Sequence, residues 1–164
     1  MLGMLGLSIF TIGLSDKTQP GSGKILTLNL NSHTKGAALG RDVINPPEVP
    51  ALNPTYSQAI RSKGFIFVAG QIGIDPATGK LVSDDIAKQA QQAIENSALI
   101  LRAAGSSLEK VVSATLYLTE FDELSRVNEV YGRYFPKNGP AKTSCGVSKL
   151  YQGARVEIQF VALV

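Results

Sequence analysis

The stretch Gly139 to Ile158, GPAKTSCGVSKLYQGARVEI, gathers the residue types that do chemistry: Lys142, Thr143, Ser144, Cys145 and Glu157. A lysine ammonium can fix a carboxylate, and a glutamate can position water and take its proton. Elimination narrows the chemistry further. The only histidine is His33, in the atypical N-terminal segment, so no Cys–His or Ser–His nucleophile–base pair is expected. One histidine and one cysteine cannot furnish a zinc site. Neither GxxxxGK[ST] nor GxGxxG occurs, so no phosphate cradle is expected. What remains is a cofactor-free mechanism built on carboxylate, lysine or backbone groups, or simple binding.

Each candidate also has a purely structural reading. Asn128 falls on the Leu124–Tyr131–Phe135 face of a helical segment, where an apolar residue is expected, and a buried Asn must find partners. It either ties to nearby backbone or belongs to a site. Glu157 interrupts an apolar tail, which suits a salt bridge to Arg155 or another subunit as well as acid–base work. Lys142, after Pro140-Ala141, is either a solvated lysine at the start of a strand or an anchor. Cys145 reads as a packed small residue, since nothing in its neighbourhood activates a thiol.

These residues need elements to position them. VINPPEVPALNP, Val43 to Pro54, carries four prolines in twelve residues and reads as extended loop. SQAIRSKGFIFVAGQIGI reads as two strands around Lys63-Gly64, closed by a turn at DPATGK. Ser83-Asp84 is placed to cap a helix running to Ala104, whose stripe is Ile86, Ala90, Ala93, Ile94 and Leu101 and whose terminator is Gly105. VVSATLYL is the next strand. A second helix is expected over Thr119 to Phe135, capped by Thr119, with Leu124, Val127, Tyr131 and Phe135 inward. Thr143–Lys149 and Arg155–Leu163 follow as strands. In the last, Val156, Ile158, Phe160 and Ala162 share one face, and Arg155, Glu157 and Gln159 the other. The order implies an α+β domain: a mixed sheet with both helices on one face. The other face must then be covered, and oligomerisation is the simpler solution.

The chain has 164 residues, enough for one domain with a sizeable core. With 44% hydrophobic and 18% charged residues it reads as soluble and globular. A single cysteine makes no internal disulfide and calls for no oxidising compartment. The net charge of +3 sits before Asp42, where Lys17, Lys24, Lys35 and Arg41 face only Asp16. The body is neutral and lacks the positive excess that phosphate neutralisation needs, so nucleic acid is not expected as the main partner. MLGMLGLSIFTIGL is too short to span a bilayer, which takes about 20 residues, so no membrane partner is expected. It also lacks the positive start of a secretory signal. Few acids and many hydroxyls suit a mitochondrial presequence, while the lack of arginine before Arg41 argues against one. The alternatives are a cytoplasmic protein with a variable tail, with one edge strand from KILTLNL. The organisation is thus an N-terminal extension over residues 1–42 and a domain over 43–164.

The run PAKTSCGVSKLYQGARVEI resembles the signature of the reactive-intermediate deaminase family, RidA or YjgF. Pro140, Ala141, Thr143, Val147, Leu150, Val156, Glu157 and Ile158 fall at their places without a gap. Upstream, YSQAI (Tyr56–Ile60), FVAGQIGIDPATGKL (Phe67–Leu81), QAQQAIENSALILRAAGSSLEKVV (Gln89–Val112) and VNEVYGRYF (Val127–Phe135) keep order and spacing. The resemblance implies a chorismate-mutase-like subunit assembling into a barrel-like homotrimer, with clefts between neighbours and no cofactor. It implies hydrolysis of the enamine and imine products of pyridoxal-phosphate dehydratases to 2-oxo acids and ammonia. On this pattern Glu157 activates water, Tyr56 and Asn128 line the cleft, and Gly70 permits close backbone approach. Ser144 offers its backbone N–H to the substrate carboxylate. The family's arginine falls at Lys142. Arginine grips a carboxylate with two parallel N–H···O bonds, whereas lysine is a point charge on a flexible stem. Either a weakened 2-iminobutanoate/2-iminopropanoate deaminase is expected, or a non-catalytic trimeric module that binds small 2-oxo acids in a regulatory or mitochondrial maintenance role. A ribonuclease, a label some members bear, fits neither the neutral body nor the missing histidine pair.

Overall fold

The computed structural model describes residues 40–49 and 55–164. The strand expected from KILTLNL and the targeting segment lie outside the described residues. Strands β1 (Asp42–Ile44), β2 (Ala59–Ser62) and β3 (Phe65–Val68) form an antiparallel meander. Its tight turn falls at Lys63-Gly64, both with positive φ (47° and 84°), the backbone a two-residue hairpin demands. Val43 and Ile44, expected in the proline-rich loop, instead form an edge strand that ends before Pro46-Pro47. Edges tolerate such neighbours because half their backbone groups need no sheet partner. β4 (Gln71–Ile72) follows, then a small hairpin of β5 (Ile74–Asp75) and β6 (Lys80–Leu81) at DPATGK. The Asp75 carboxylate accepts from the Ala77 N–H and the Thr78 hydroxyl, which closes that turn.

Helix α1 (Ile86–Ala103) starts one residue later than Ser83-Asp84 suggests. Asp85 is the cap, accepting from the Lys88 N–H at 3.0 Å, while the Ser83 hydroxyl accepts from the Asp85 N–H. At the other end Gly105 adopts φ 82° and two bonds cross over it, Gly105 N–H to Arg102 and Ser106 N–H to Leu101. This double bond pattern satisfies the last carbonyls of the helix.

β7 (Val111–Leu118) matches its expected bounds. The second helix does not. Thr119 follows the end of β7, its N–H bonded to the Arg155 carbonyl, and it is not the cap because the helical backbone begins only beyond Glu120. A 3-10 turn spans Phe121–Glu123, and α2 runs Leu124–Tyr134 without a side-chain cap. Val127 and Tyr131 are buried as expected, together with Val130. β8 spans Ala141–Gly146, earlier than Thr143–Lys149, because it pairs in parallel with Ser113–Leu118 of β7. β9 is Val156–Leu163.

The sheet order is β1-β2-β3-β9-β7-β8, with β4 also on β9 and every other pairing antiparallel. It is an α+β fold with a mixed sheet. Val156, Ile158, Phe160 and Ala162 are fully buried against α1 and α2. Burying an Ile or Phe side chain of this kind contributes about 1.5–3 kcal/mol. On the opposite face Phe65, Phe67 and Leu163 stay exposed.

Candidate functional site

Glu157 points to the open face of the sheet, the alternate of its buried neighbours Val156 and Ile158. Ile72 of β4 and Tyr117 of β7 flank it in register. Its carboxylate lies directly over Gly70, where a Cβ on any other residue would overlap it. A larger residue at 70 would push that carboxylate aside. Burial pushes the Glu157 carboxyl above the ordinary glutamate range, and among the described residues no cation is paired with it. The salt bridge to Arg155 expected as one reading is absent. Arg155 pairs with Glu120 and with Glu123 (2.9 Å) and donates to the Asp84 carbonyl. Gly70 and Tyr56 line a common cavity with Gln71, Ile72 and Asn96, about 40 Å³ in volume. That holds a water; sites for small-molecule ligands usually enclose roughly 300–1,000 Å³.

Lys142 lies on the other side of the sheet. It sits opposite Ala114 in β8, on the face that carries the helices. Its Nζ donates to Asn128 Oδ1 of α2 at 2.6 Å and stands 4.6 Å over the centre of the Tyr131 ring. Asn128 is exposed, not buried as its helical face implies, and Lys142 is its partner. Ser144 follows on the same face, half-buried opposite Leu116. Cys145 is free and half-buried on the Glu157 side, opposite Tyr117. One chain therefore holds Gly70 beneath Glu157 on the open face, Tyr56 in the small cavity that Gly70 also lines, and Lys142, Asn128 and Ser144 at the β8 edge. It does not bring Lys142 and Glu157 together by itself.

The residues that fix these sets are partly ones the sequence reading passed over. Asn96, buried in α1, donates from Nδ2 to the carbonyls of Ile74 (2.8 Å) and Ile72 (3.4 Å), and accepts from Gln92. Gln89, one heptad earlier, accepts the Arg155 N–H and donates to the Ser83 carbonyl, both at 2.8 Å. Gly73 packs so closely on Gln89 that a Cβ there would overlap the helix backbone. One helix face thus pins the segment holding Gly70 and the segment leading into Glu157. The available signal was two amides seven residues apart inside an apolar stripe. Among the described residues no group of three or more His, Cys, Asp or Glu is placed to hold a metal.

A two-helix mixed sheet with a desolvated glutamate over a glycine defines the class to which comparison can be made. The model of the family described as Endoribonuclease L-PSP matches residues 48–164. The human 2-iminobutanoate/2-iminopropanoate deaminase is 40% identical over 127 residues, 77% of this chain and 93% of that protein. A solved structure from Yersinia pestis, of the conserved Rid protein family, is 40% identical with TM-score 0.72 and covers 76% of this chain and 99% of that one. Escherichia coli TdcF, solved with bound serine, is 27% identical with TM-score 0.71 and covers 75% of this chain and 98% of that one. The chain belongs to this family, the RidA/YjgF proteins.

Proposed function

We propose that this protein hydrolyses imines of short 2-oxo acids, such as 2-iminobutanoate and 2-iminopropanoate, to the 2-oxo acid and ammonia. The work is done in clefts between neighbouring copies of a homotrimer, where Lys142 of one copy faces the Glu157 set of the next. The observation that carries this reading is Glu157: a half-buried carboxyl with raised pKa, over a glycine, with no cation paired to it among the described residues. A carboxyl tuned upward is suited to exchanging protons near neutral pH. Relatives about 40% identical that are named for this deaminase activity support the same reading.

The chemistry needs little more. Water adds to the C=N carbon while Glu157 takes one of its protons and returns it to the nitrogen; Glu157 then relays the hydroxyl proton of the carbinolamine to the amino group, and ammonia leaves as the C=O bond forms. Lys142 holds the substrate carboxylate by charge, the Ser144 backbone N–H adds a second donor, and Tyr56, Gly70 and Asn128 wall the cleft. Within one chain Lys142 and Glu157 leave opposite faces of the sheet, which supports a second copy completing the cleft. The serine bound to TdcF is likewise a small carboxylate-bearing molecule. Lysine in place of arginine gives up one charge-assisted hydrogen bond, about 1.5–3 kcal/mol. If that loss falls on the transition state, the rate is roughly ten- to a hundredfold below an arginine site.

The test is ammonia release from 2-iminobutanoate generated in situ by a threonine dehydratase. The purified, folded protein should accelerate it, and no acceleration would remove the deaminase reading. Lysine keeps the charge while weakening the grip, which favours a second reading, a binding module for 2-oxo acids. Saturable binding of 2-oxobutanoate without turnover would select it.

A further inference from the structure

We propose that Tyr131 is a positioning residue that fixes the Lys142 ammonium as the carboxylate anchor of the site. The inference rests on the proposed function for its kinetic consequence but not for its geometry. Lysine has a flexible four-carbon stem, so an exposed ammonium samples many positions and makes a poor anchor. Here two groups on one turn of α2 remove that freedom. The Asn128 oxygen takes one N–H at 2.6 Å, and the Tyr131 ring lies beneath the charge at 4.6 Å, within the reach of a cation–π contact. The ring is itself immobile. Tyr131 is 6% exposed, its ring centre lies 4.5 Å from that of Phe135, and Phe135 lies 5.8 Å from Phe160 of the core strand. The cation thus rests on an aromatic column rooted in the sheet, with one N–H committed to Asn128.

The hydroxyl does not explain why this residue is tyrosine-sized. Tyr131 OH is buried and finds no hydrogen-bond partner among the described residues. What reaches Lys142 is the ring face, so phenylalanine should serve and an aliphatic residue should not.

Tyr131→Leu and Tyr131→Phe separate these contributions. A cation–π contact is worth about 0.5–2 kcal/mol, so Tyr131→Leu should raise KM for 2-iminobutanoate about two- to thirtyfold with a smaller change in kcat. Tyr131→Phe should keep KM close to the wild-type value. NMR of the wild-type protein with labelled lysine supplies a readout that needs neither catalysis nor a variant. The Lys142 ε-methylene should be shifted upfield by the ring current, and Tyr131→Phe should retain the shift. An unshifted ε-methylene in the wild-type protein overturns the proposal, as does a KM rise in Tyr131→Phe equal to that in Tyr131→Leu. Should the wild-type protein show the shift but release no ammonia and bind no 2-oxobutanoate, the proposed function fails while the Tyr131–Lys142 contact stands.

Discussion

Glu157 is a carboxyl that folding desolvates, and among the described residues no cation compensates it. Its raised pKa has two consequences with definite signs. Below the unfolded-state pKa of about 4.3, both states are protonated and burial carries no ionic cost. As pH rises through the folded-state pKa, the native protein must hold a poorly solvated carboxylate, so this group's contribution to stability is lost. Glu157→Gln should therefore gain thermal stability relative to wild type at pH 7.5, compared with the difference between them at pH 4. Equal differences at both values would mean that the carboxyl is not desolvated. The same variant should lose activity by about 10²–10⁴-fold, the usual worth of a general base, and wild-type turnover should rise with pH through a pKa above the ordinary glutamate value. Lys142→Arg should raise kcat/KM by about ten- to a hundredfold by restoring a two-point grip; a fall would mean the pocket is built around lysine. Both residues were legible in the sequence as chemistry, and both were placed in the site by family resemblance. Spacing could not reveal that they leave opposite faces of one sheet, because that depends on the register of β8 against β7.

At the scale of elements, periodicity located strands and helices well where side chains alternate between core and solvent. VVSATLYL and the buried set of β9 needed nothing more. The failures lie at ends, where single hydrogen bonds decide. Thr119 looked like a cap but the helical backbone begins only beyond Glu120, and Asp85 takes the cap position expected for Ser83-Asp84. The amide pins of α1 were hidden because a polar residue in an apolar stripe is read as an exception until its partners are known. Asn96→Leu should remove the side-chain bonds to the Ile72 and Ile74 carbonyls and destabilise the fold by about 1–3 kcal/mol. Gly73→Ala should cost about 1–3 kcal/mol by forcing β4 and β5 off the helix. Urea unfolding measures both. A shift below a few tenths of a kcal/mol would show that the α1 contacts do not hold this segment.

At the scale of the whole domain, no element among the described residues packs on the sheet face opposite the helices. Phe67 is 47% exposed and Leu163 43%, on the same face as Glu157. Contiguous apolar surface of this kind marks an interaction site, and a trimer would cover it while completing the cleft. If the proposed trimer buries this face, Phe67→Asp should leave the protein monomeric in sedimentation and remove activity with it; an active monomer would refute a shared cleft. The decisive measurement mixes two inactive variants, Lys142→Ala and Glu157→Gln, by unfolding them together and refolding. Each neighbour pair then draws its lysine from one chain and its glutamate from another. Random assortment in a closed ring should restore about a quarter of wild-type ammonia release. Activity no higher than that of either variant alone would contradict a cleft built from Lys142 of one copy and Glu157 of the next.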